Sequence, residues 1–446
     1  MKHVRTLFLC VCLTGSCALR AQGTPATDKP LIPVVKLSDN VSVKFGGFVR
    51  AEYYIDSRET VGAVDDLFGF FPENKLTAPG DGKDQNAVVR QNLSTQATRF
   101  NALFTGPDAF KAKSTAYFEY DFTGGAATQT ATGATNPVGF RLRHAWMKIS
   151  GKRTEWLLGK TWNPLGETIF PSVVGLHTGI PFRPFGRGDQ LRVTYKASER
   201  WSVLAAALFQ TEHKSTLYTD GSLTAAAAST NDVRSNPYPD LHLQVHYRSK
   251  NLFAGLVSEF KTLRPCTLTT GTAGTYRSTE TVSSGALGVF ADYKLGLFNV
   301  KGSGIFGQNL SELFQQGGYA VASYNALTGA RTYTVSNSVS TWLNATYGTR
   351  WMVGLFGGYQ KNLGFSDDLA SVTGGPTLFM GRWQNIDHVY RVAPSLTYAV
   401  GRWKFQTEVD YNIAGYGTVD PLDKGKVKNA KDISGSRLIL ASTFQF

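Results

Sequence analysis

From residue 402 to residue 413 apolar and polar side chains take turns: Trp403, Phe405, Thr407, Val409, Tyr411 and Ile413 alternate with Arg402, Lys404, Gln406, Glu408, Asp410 and Asn412. Residues 435–446 do the same, with Leu438, Leu440, Ser442, Phe444 and Phe446 set against Arg437, Ile439, Ala441, Thr443 and Gln445. A period of two puts consecutive side chains on opposite faces of an extended chain, whereas a helix would scatter both sets around its circumference. Both segments are predicted strands. The same alternation predicts strands over 41–56, 93–104, 111–122, 138–149, 154–162, 189–196, 201–210, 240–248, 252–261, 284–294, 298–308, 336–347, 350–361 and 387–400.

The connections alternate as well. Those at 105–110, 150–153, 197–200, 249–251, 295–297, 348–349 and 401 are short. Those at 57–92, 123–137, 163–188, 211–239, 262–283, 309–335, 362–386 and 414–434 are long and rich in Gly, Ser, Thr, Asn and Asp. Short turns on one rim, long loops on the other and an even strand number are the marks of a transmembrane β-barrel. Hydrocarbon offers no water to backbone N–H and C=O groups, so such a sheet must close on itself. Aromatic pairs flank the turns: Trp146 and Trp156, Tyr195 and Trp201, Tyr293 and Phe298, Tyr347 and Trp351, Tyr398 and Trp403. Amphipathic rings at one height form the girdle of such a barrel, and every pair except the first fits the apolar face. The expected fold is all-β: a transmembrane antiparallel β-barrel of about 16 strands over 41–446, with short periplasmic turns and long extracellular loops.

Composition narrows the class further. Mean hydropathy is −0.17, and past the N-terminus no apolar run approaches the ~18 residues of a membrane helix, which excludes a multi-pass helical protein. Aromatic residues at 12% of the chain exclude disorder. Lys2 and Arg5, the apolar stretch 7–13 and Ala21 predict a signal peptide over 1–21, followed by an N-terminal periplasmic segment over 22–40. Three of the four cysteines leave with the signal, so Cys266 alone can form neither an intrachain disulfide nor a thiolate metal cluster. The expected location is the outer membrane.

One hairpin carries a family resemblance. Arg141-Leu142-Arg143-His144-Ala145-Trp146, followed by Trp156-Leu157-Leu158-Gly159-Lys160-Thr161-Trp162, resembles the RLRHAY…LLAGQTW hairpin of the DcaP-like trimeric porins. Arg99-Phe100 fits the region before it, and the close resemblance spans about residues 93–165. It implies a homotrimer whose protomers each pass small anionic solutes such as dicarboxylates. Some relatives carry an N-terminal heptad segment. Residues 22–40 are short and Pro-containing, so no coiled-coil stalk is expected.

Independently of that resemblance, the polar face of the strands carries more Lys and Arg than Asp and Glu. Arg50, Arg99, Lys113, Arg141, Arg143 and Arg391 are candidate pore-lining, anion-binding residues, beside acids such as Glu52, Asp56, Glu119, Asp121, Glu408 and Asp410. A basic lining lowers the barrier to anions; the alternative is that these charges pair with one another and line a water-filled wall without selectivity. Loop 163–188 holds Ile169, Phe170, Val173 and Phe182 together with Arg183 and Arg187. Apolar side chains in an outer loop need something to cover them. The loop is therefore a candidate constriction that folds into the barrel and presents Arg183 and Arg187 to solute; packing on a neighbouring protomer is the alternative.

Enzymatic motifs are weak. Gly302-Ser303-Gly304-Ile305-Phe306-Gly307 matches G-x-G-x-x-G but lies within an alternating strand, and a dinucleotide site needs it at a strand–helix junction. His242 and His246 are ~13 Å apart on a strand, too far to share a metal ion. His144 is expected on the outward face, in a trimer contact. No catalytic residue, metal site or cofactor is expected, and no nucleic-acid partner. The function read from the chain is an outer-membrane porin for passive diffusion of small hydrophilic solutes, preferring anions. The alternative is a barrel acting as surface receptor or adhesin through its long loops.

Overall fold

The computed structural model describes residues 34–64, 66–124, 139–211, 231–370 and 379–446. The expected signal peptide and most of segment 22–40 lie outside these residues. Sixteen strands form the wall: β1 (Val41–Asp56), β2 in two pieces (Arg90–Ser94 and Arg99–Thr105), β3 (Lys113–Asp121), β4 (Arg141–Ser150), β5 (Thr154–Trp162), β6 (Arg187–Lys196), β7 (Trp201–Thr211) and β8 (Asp240–Arg248). They continue with β9 (Leu252–Leu263), β10 (Val282–Leu295), β11 (Phe298–Gln308), β12 (Arg331–Gly348), β13 (Trp351–Phe365), β14 (Ile386–Val400), β15 (Trp403–Asp420) and β16 (Lys426–Gln445). Each strand pairs antiparallel with the next. The last pairs with the first, from Phe48 opposite Gln445 to Asp56 opposite Arg437, and the barrel closes.

Alternation sorts the side chains as hydrocarbon demands. Leu243, Leu256, Leu287, Val353 and Leu440 stand exposed on the outer surface, while Ser338, Ser340, Asn344, Gln360 and Thr443 are buried on the inner face. Near the short turns the outward positions are aromatic: Trp156, Tyr195, Trp201, Tyr293, Phe298, Tyr347, Trp351 and Trp403 are all exposed. Trp146 does not join them. It faces inward and stacks on Tyr117 with ring centroids 5.3 Å apart.

Two sequence expectations need correction. His144 is buried and faces the lumen, with Nδ1 3.1 Å from the Thr161 hydroxyl and its ring against Trp162. A β-bulge shifts the β3–β4 register between Glu119 and Tyr120, so that Arg143 and His144 both turn inward and the alternation restarts one residue later. The long loop expected over 414–434 is instead a paired extension of β15 and β16, with Thr418 opposite Lys428 and Asp420 opposite Lys426, around a tip at 421–425. Beyond the membrane both faces of a hairpin meet water. Pairing then continues without a period of two to reveal it.

The largest core cluster of the molecule lies inside this cylinder, where loop side chains meet the inner wall. Phe68, Phe70 and Phe71 of the first long loop, Leu165, Ile180, Phe182 and Phe185 of the third, and Leu310, Leu313 and Phe314 of the sixth pack against Trp342, Phe356, Val389, Ala393 and Ile439. These loops do not project as free tethers; they enter the lumen.

Candidate functional site

The third loop begins with a short helix, α1 (Pro164–Glu167), capped by the Asn163 carboxamide oxygen, which accepts from the Leu165 N–H at 2.9 Å. Beyond α1 the chain crosses the barrel and meets wall strands on several sides. The Ser172 N–H donates to Asn344 Oδ1 on β12 at 2.7 Å, and the Lys301 ammonium on β11 donates to the Phe170 carbonyl at 3.2 Å. The N–H groups of Val174 and Gly175 donate to the two carboxylate oxygens of Glu408 on β15, at 2.8 and 3.0 Å. Arg50 on β1 reaches the Val174 carbonyl at 2.7 Å, and Gln244 on β8 donates to the Pro164 carbonyl at 2.6 Å. The wall thus supplies donors and acceptors to backbone that would otherwise be buried without partners, a penalty of about 1–3 kcal/mol per group.

Arg391 on β14 joins two loops to the wall. Its guanidinium donates to the Gly69 and Phe70 carbonyls of the first loop, at 3.0 and 2.6 Å, and to the Ile180 carbonyl of the third at 3.0 Å. It also donates to Asn412 Oδ1 at 2.6 Å. A further N–H meets His177 Nδ1 at 2.8 Å, and the Gly179 N–H donates to the same nitrogen at 3.1 Å. With two donors on Nδ1, the ring proton sits on Nε2, which faces Glu408 and Asp410 at 3.6 and 3.3 Å. His177, Glu408 and Asp410 place donor atoms within 4.8 Å of one another. A metal ion would need the Nε2 lone pair, and this tautomer has none to offer. Through Nδ1, His177 ties the third loop to Arg391 on the wall.

The structure separates the sequence-predicted basic residues into three kinds. Arg99, Arg141 and Arg143 come together as expected from their strands, but on two acids: Arg141 and Arg143 both bind Asp121 (2.7 and 2.8 Å), Arg143 binds Glu119 at 2.6 Å, and Arg99 lies 3.9 Å from Glu119. Arg50 is likewise paired, with Glu52 at 2.6 Å. Arg183, Arg187 and Arg391 are fully buried, contrary to the expectation that they face solute. Arg183 binds the Gly166 and Pro184 carbonyls and lies over the Phe170 ring at 4.0 Å; Arg187 lies over the Trp162 ring at 4.4 Å. A guanidinium can satisfy several carbonyls of a tight loop at once, so these arginines are consumed in holding the loop's shape. Lys113, at the short-turn end of β3, stays exposed.

Sequence reasoning missed His177 and the entry of the first loop. The run Phe68-Gly69-Phe70-Phe71 carried the same signal that pointed to the third loop, namely apolar residues where an outer loop needs none.

Searches of family models and of curated proteins find no match for this chain. Solved structures do match. The outer membrane channel DcaP of Acinetobacter baumannii superposes with a TM-score of 0.62 at 17% identity, over 92% of this chain and 99% of that one. This chain has the porin fold. An anion-selective porin from Comamonas acidovorans gives 0.53 at 14% identity, over 91% of this chain and all of the other. The trimer form of OmpT from Vibrio cholerae gives 0.51 at 11% identity, over 92% of this chain and all of the other. The likeness to DcaP agrees with the hairpin resemblance at 141–162.

Proposed function

We propose that the protein is an outer-membrane channel for passive diffusion of small hydrophilic solutes, with a preference for anions such as dicarboxylates, and that it works as a homotrimer. The observation that carries this reading is a closed 16-strand barrel, apolar outside and polar inside, whose third loop is hydrogen-bonded to β1, β8, β11, β12 and β15. In this reading loop 163–188 is the constriction. It narrows the bore with its backbone and with Arg50, Arg99 and Arg141 on the wall beside it, while Arg183, Arg187 and Arg391 fix its shape. Solute crosses without covalent chemistry, so selectivity comes from bore size and from the field inside it. The anion-selective and trimeric porins of similar fold support the finer parts of the reading.

Refolded protein recorded in a planar bilayer under a salt gradient tests it. Stepwise conductance with a reversal potential of the sign set by anions is expected, and dicarboxylates should enter proteoliposomes faster than diamines of equal size. A barrel that inserts yet never conducts would support a surface receptor in its place.

A further inference from the structure

The lumen's charges differ by height. Midway along the barrel and toward the long loops basic side chains are paired with acids at several places: Arg50 with Glu52, Arg99, Arg141 and Arg143 together on Glu119 and Asp121, Arg192 with Glu167, Arg437 with Asp56, Lys261 with Glu312. At the short-turn end they are not. Lys44, Lys113, Lys196, Arg248, Lys294 and Lys404 each lie within about three residues of a short turn or of the start of β1, and all are exposed except Lys404, which is half-buried. Among the described residues none of the six takes part in an ion pair. Of the acids at that level, Glu155 is paired with Lys148 at 3.2 Å and Asp292 accepts from the Asn299 carboxamide, while Asp108 and Glu199 lie exposed in the turns themselves.

Register fixes the direction of these cations. Tyr195, Tyr293 and Trp403 stand on the outer surface, so the next residue in each strand, Lys196, Lys294 or Lys404, points inward. Tyr247 packs on the outward Trp201, which sends Arg248 inward over the Phe253 ring at 3.8 Å. Phe45 stacks on the outward Phe100, so Lys44 faces the lumen, and Lys113 shares a face with Tyr117 and Glu119. The turns at 197–200, 249–251, 295–297 and 401 therefore each pair a lipid-side ring with a lumen-side cation, whereas at 348–349 Arg350 lies on the lipid-side Tyr398.

We propose that this mouth, rather than the in-folded loops, is where the channel discriminates charge, and that it binds small polyvalent oxyanions through Lys44, Lys113, Lys196, Arg248, Lys294 and Lys404. The inference rests on the channel reading above and places its selectivity. Strands are about 4.8 Å apart, so cations two or three strands from one another are roughly 10–15 Å apart. That is comparable with the Debye length of about 8 Å at physiological ionic strength, and their potentials overlap inside the low-dielectric wall. The summed potential acts on every anion, but the attraction grows with the anion's charge, so one with two to four charges, such as a di- or tricarboxylate or pyrophosphate, is held more strongly than a monovalent one. Higher in the lumen the basic side chains are paired with acids or, like Arg183, Arg187 and Arg391, buried within the wall and loops, where they offer an ion less than the exposed cations of the mouth do.

The test uses the full refolded chain in planar bilayers, comparing wild type with a variant carrying K44Q, K113Q, K196Q, R248Q, K294Q and K404Q, and with one exchanging Lys for Arg at five of these sites (K44R, K113R, K196R, K294R, K404R). Wild type should prefer anions and be blocked by pyrophosphate more strongly from the short-turn side than from the loop side. The Gln variant should lose the asymmetric block, and its anion-to-cation permeability ratio should fall roughly three- to ten-fold. The Arg variant should keep both. An unchanged ratio and block in a conducting Gln variant would overturn the proposal and leave the channel reading standing. A wild type without conductance would overturn both. Wild-type-like strand content by circular dichroism in the Gln variant shows that the loss is electrostatic.

Discussion

Arg391 holds more of the interior together than any single strand contact. It is buried, and it donates to carbonyls of two loops as well as to Asn412 and His177. Arg391→Ala would leave those acceptors unmatched and Asp410, 3.9 Å away, without its nearest cation. A loss of roughly 3–5 kcal/mol is expected, as when one member of a buried pair is removed. It should be read as a lower unfolding temperature in detergent and as noisy, enlarged single-channel steps when loops one and three come loose. Arg391 could be placed on the lumen wall from sequence because alternation shows a face. Its partners could not, because the carbonyls of Gly69, Phe70 and Ile180 arrive from loops whose path alternation does not record. Arg183 and Arg187 show the same limit. Their residue type fits an anion site and a loop staple equally well, and only the nearby Gly166, Pro184 and Trp162 decide which. His144 fails for another reason: a one-residue bulge inverts every face assigned beyond it.

At the scale of elements, the strands were legible and the loops only in part. Period two is imposed where lipid and water lie on opposite faces, so each predicted strand core coincides with an observed one. It lapses above the membrane, where β15 and β16 continue to Asp420 and from Lys426. The loops that enter the lumen announce themselves by apolar content, as Phe68–Pro72 and loop 163–188 do. The loop helix Asn231–Arg234 carries a proton-linked prediction. Burial, with Glu312 nearby, pushes the Asp232 carboxyl up to about 6, and the hydrogen bond from the Val233 N–H and the Lys261 ammonium only partly offset this. A folded-state value above the unfolded value of ~3.9 means that the contribution to stability is complete below pH ~4 and is lost as pH rises through about 6. Amides of 232–236 should therefore show higher protection factors, taken against the intrinsic exchange rate at each pH, at pH 4.5 than at pH 7.5, and Asp232→Asn should remove most of that difference.

For the whole molecule, the formal charge of +13 is less informative than where the charge sits. Matched pairs buried at mid-height are screened little by salt, whereas unmatched cations at an open mouth are screened fully once the Debye length shrinks from about 10 Å at 0.1 M to 3 Å at 1 M. Anion preference should thus decline steeply between those concentrations while the unfolding temperature changes little. A preference that persisted at 1 M would place its origin deeper in the bore.

The seam where β16 meets β1 has a consequence for how the molecule is made. Phe446 donates its N–H to the Gly47 carbonyl at 3.2 Å, and its ring lies where any side chain at position 47 would go. Phe446 thus covers the first strand at this seam. A polypeptide interrupted during export has two raw borders and no way to hide either from lipid. Both borders vanish in one event, when the strand that holds Arg437–Gln445 docks on Phe48–Asp56.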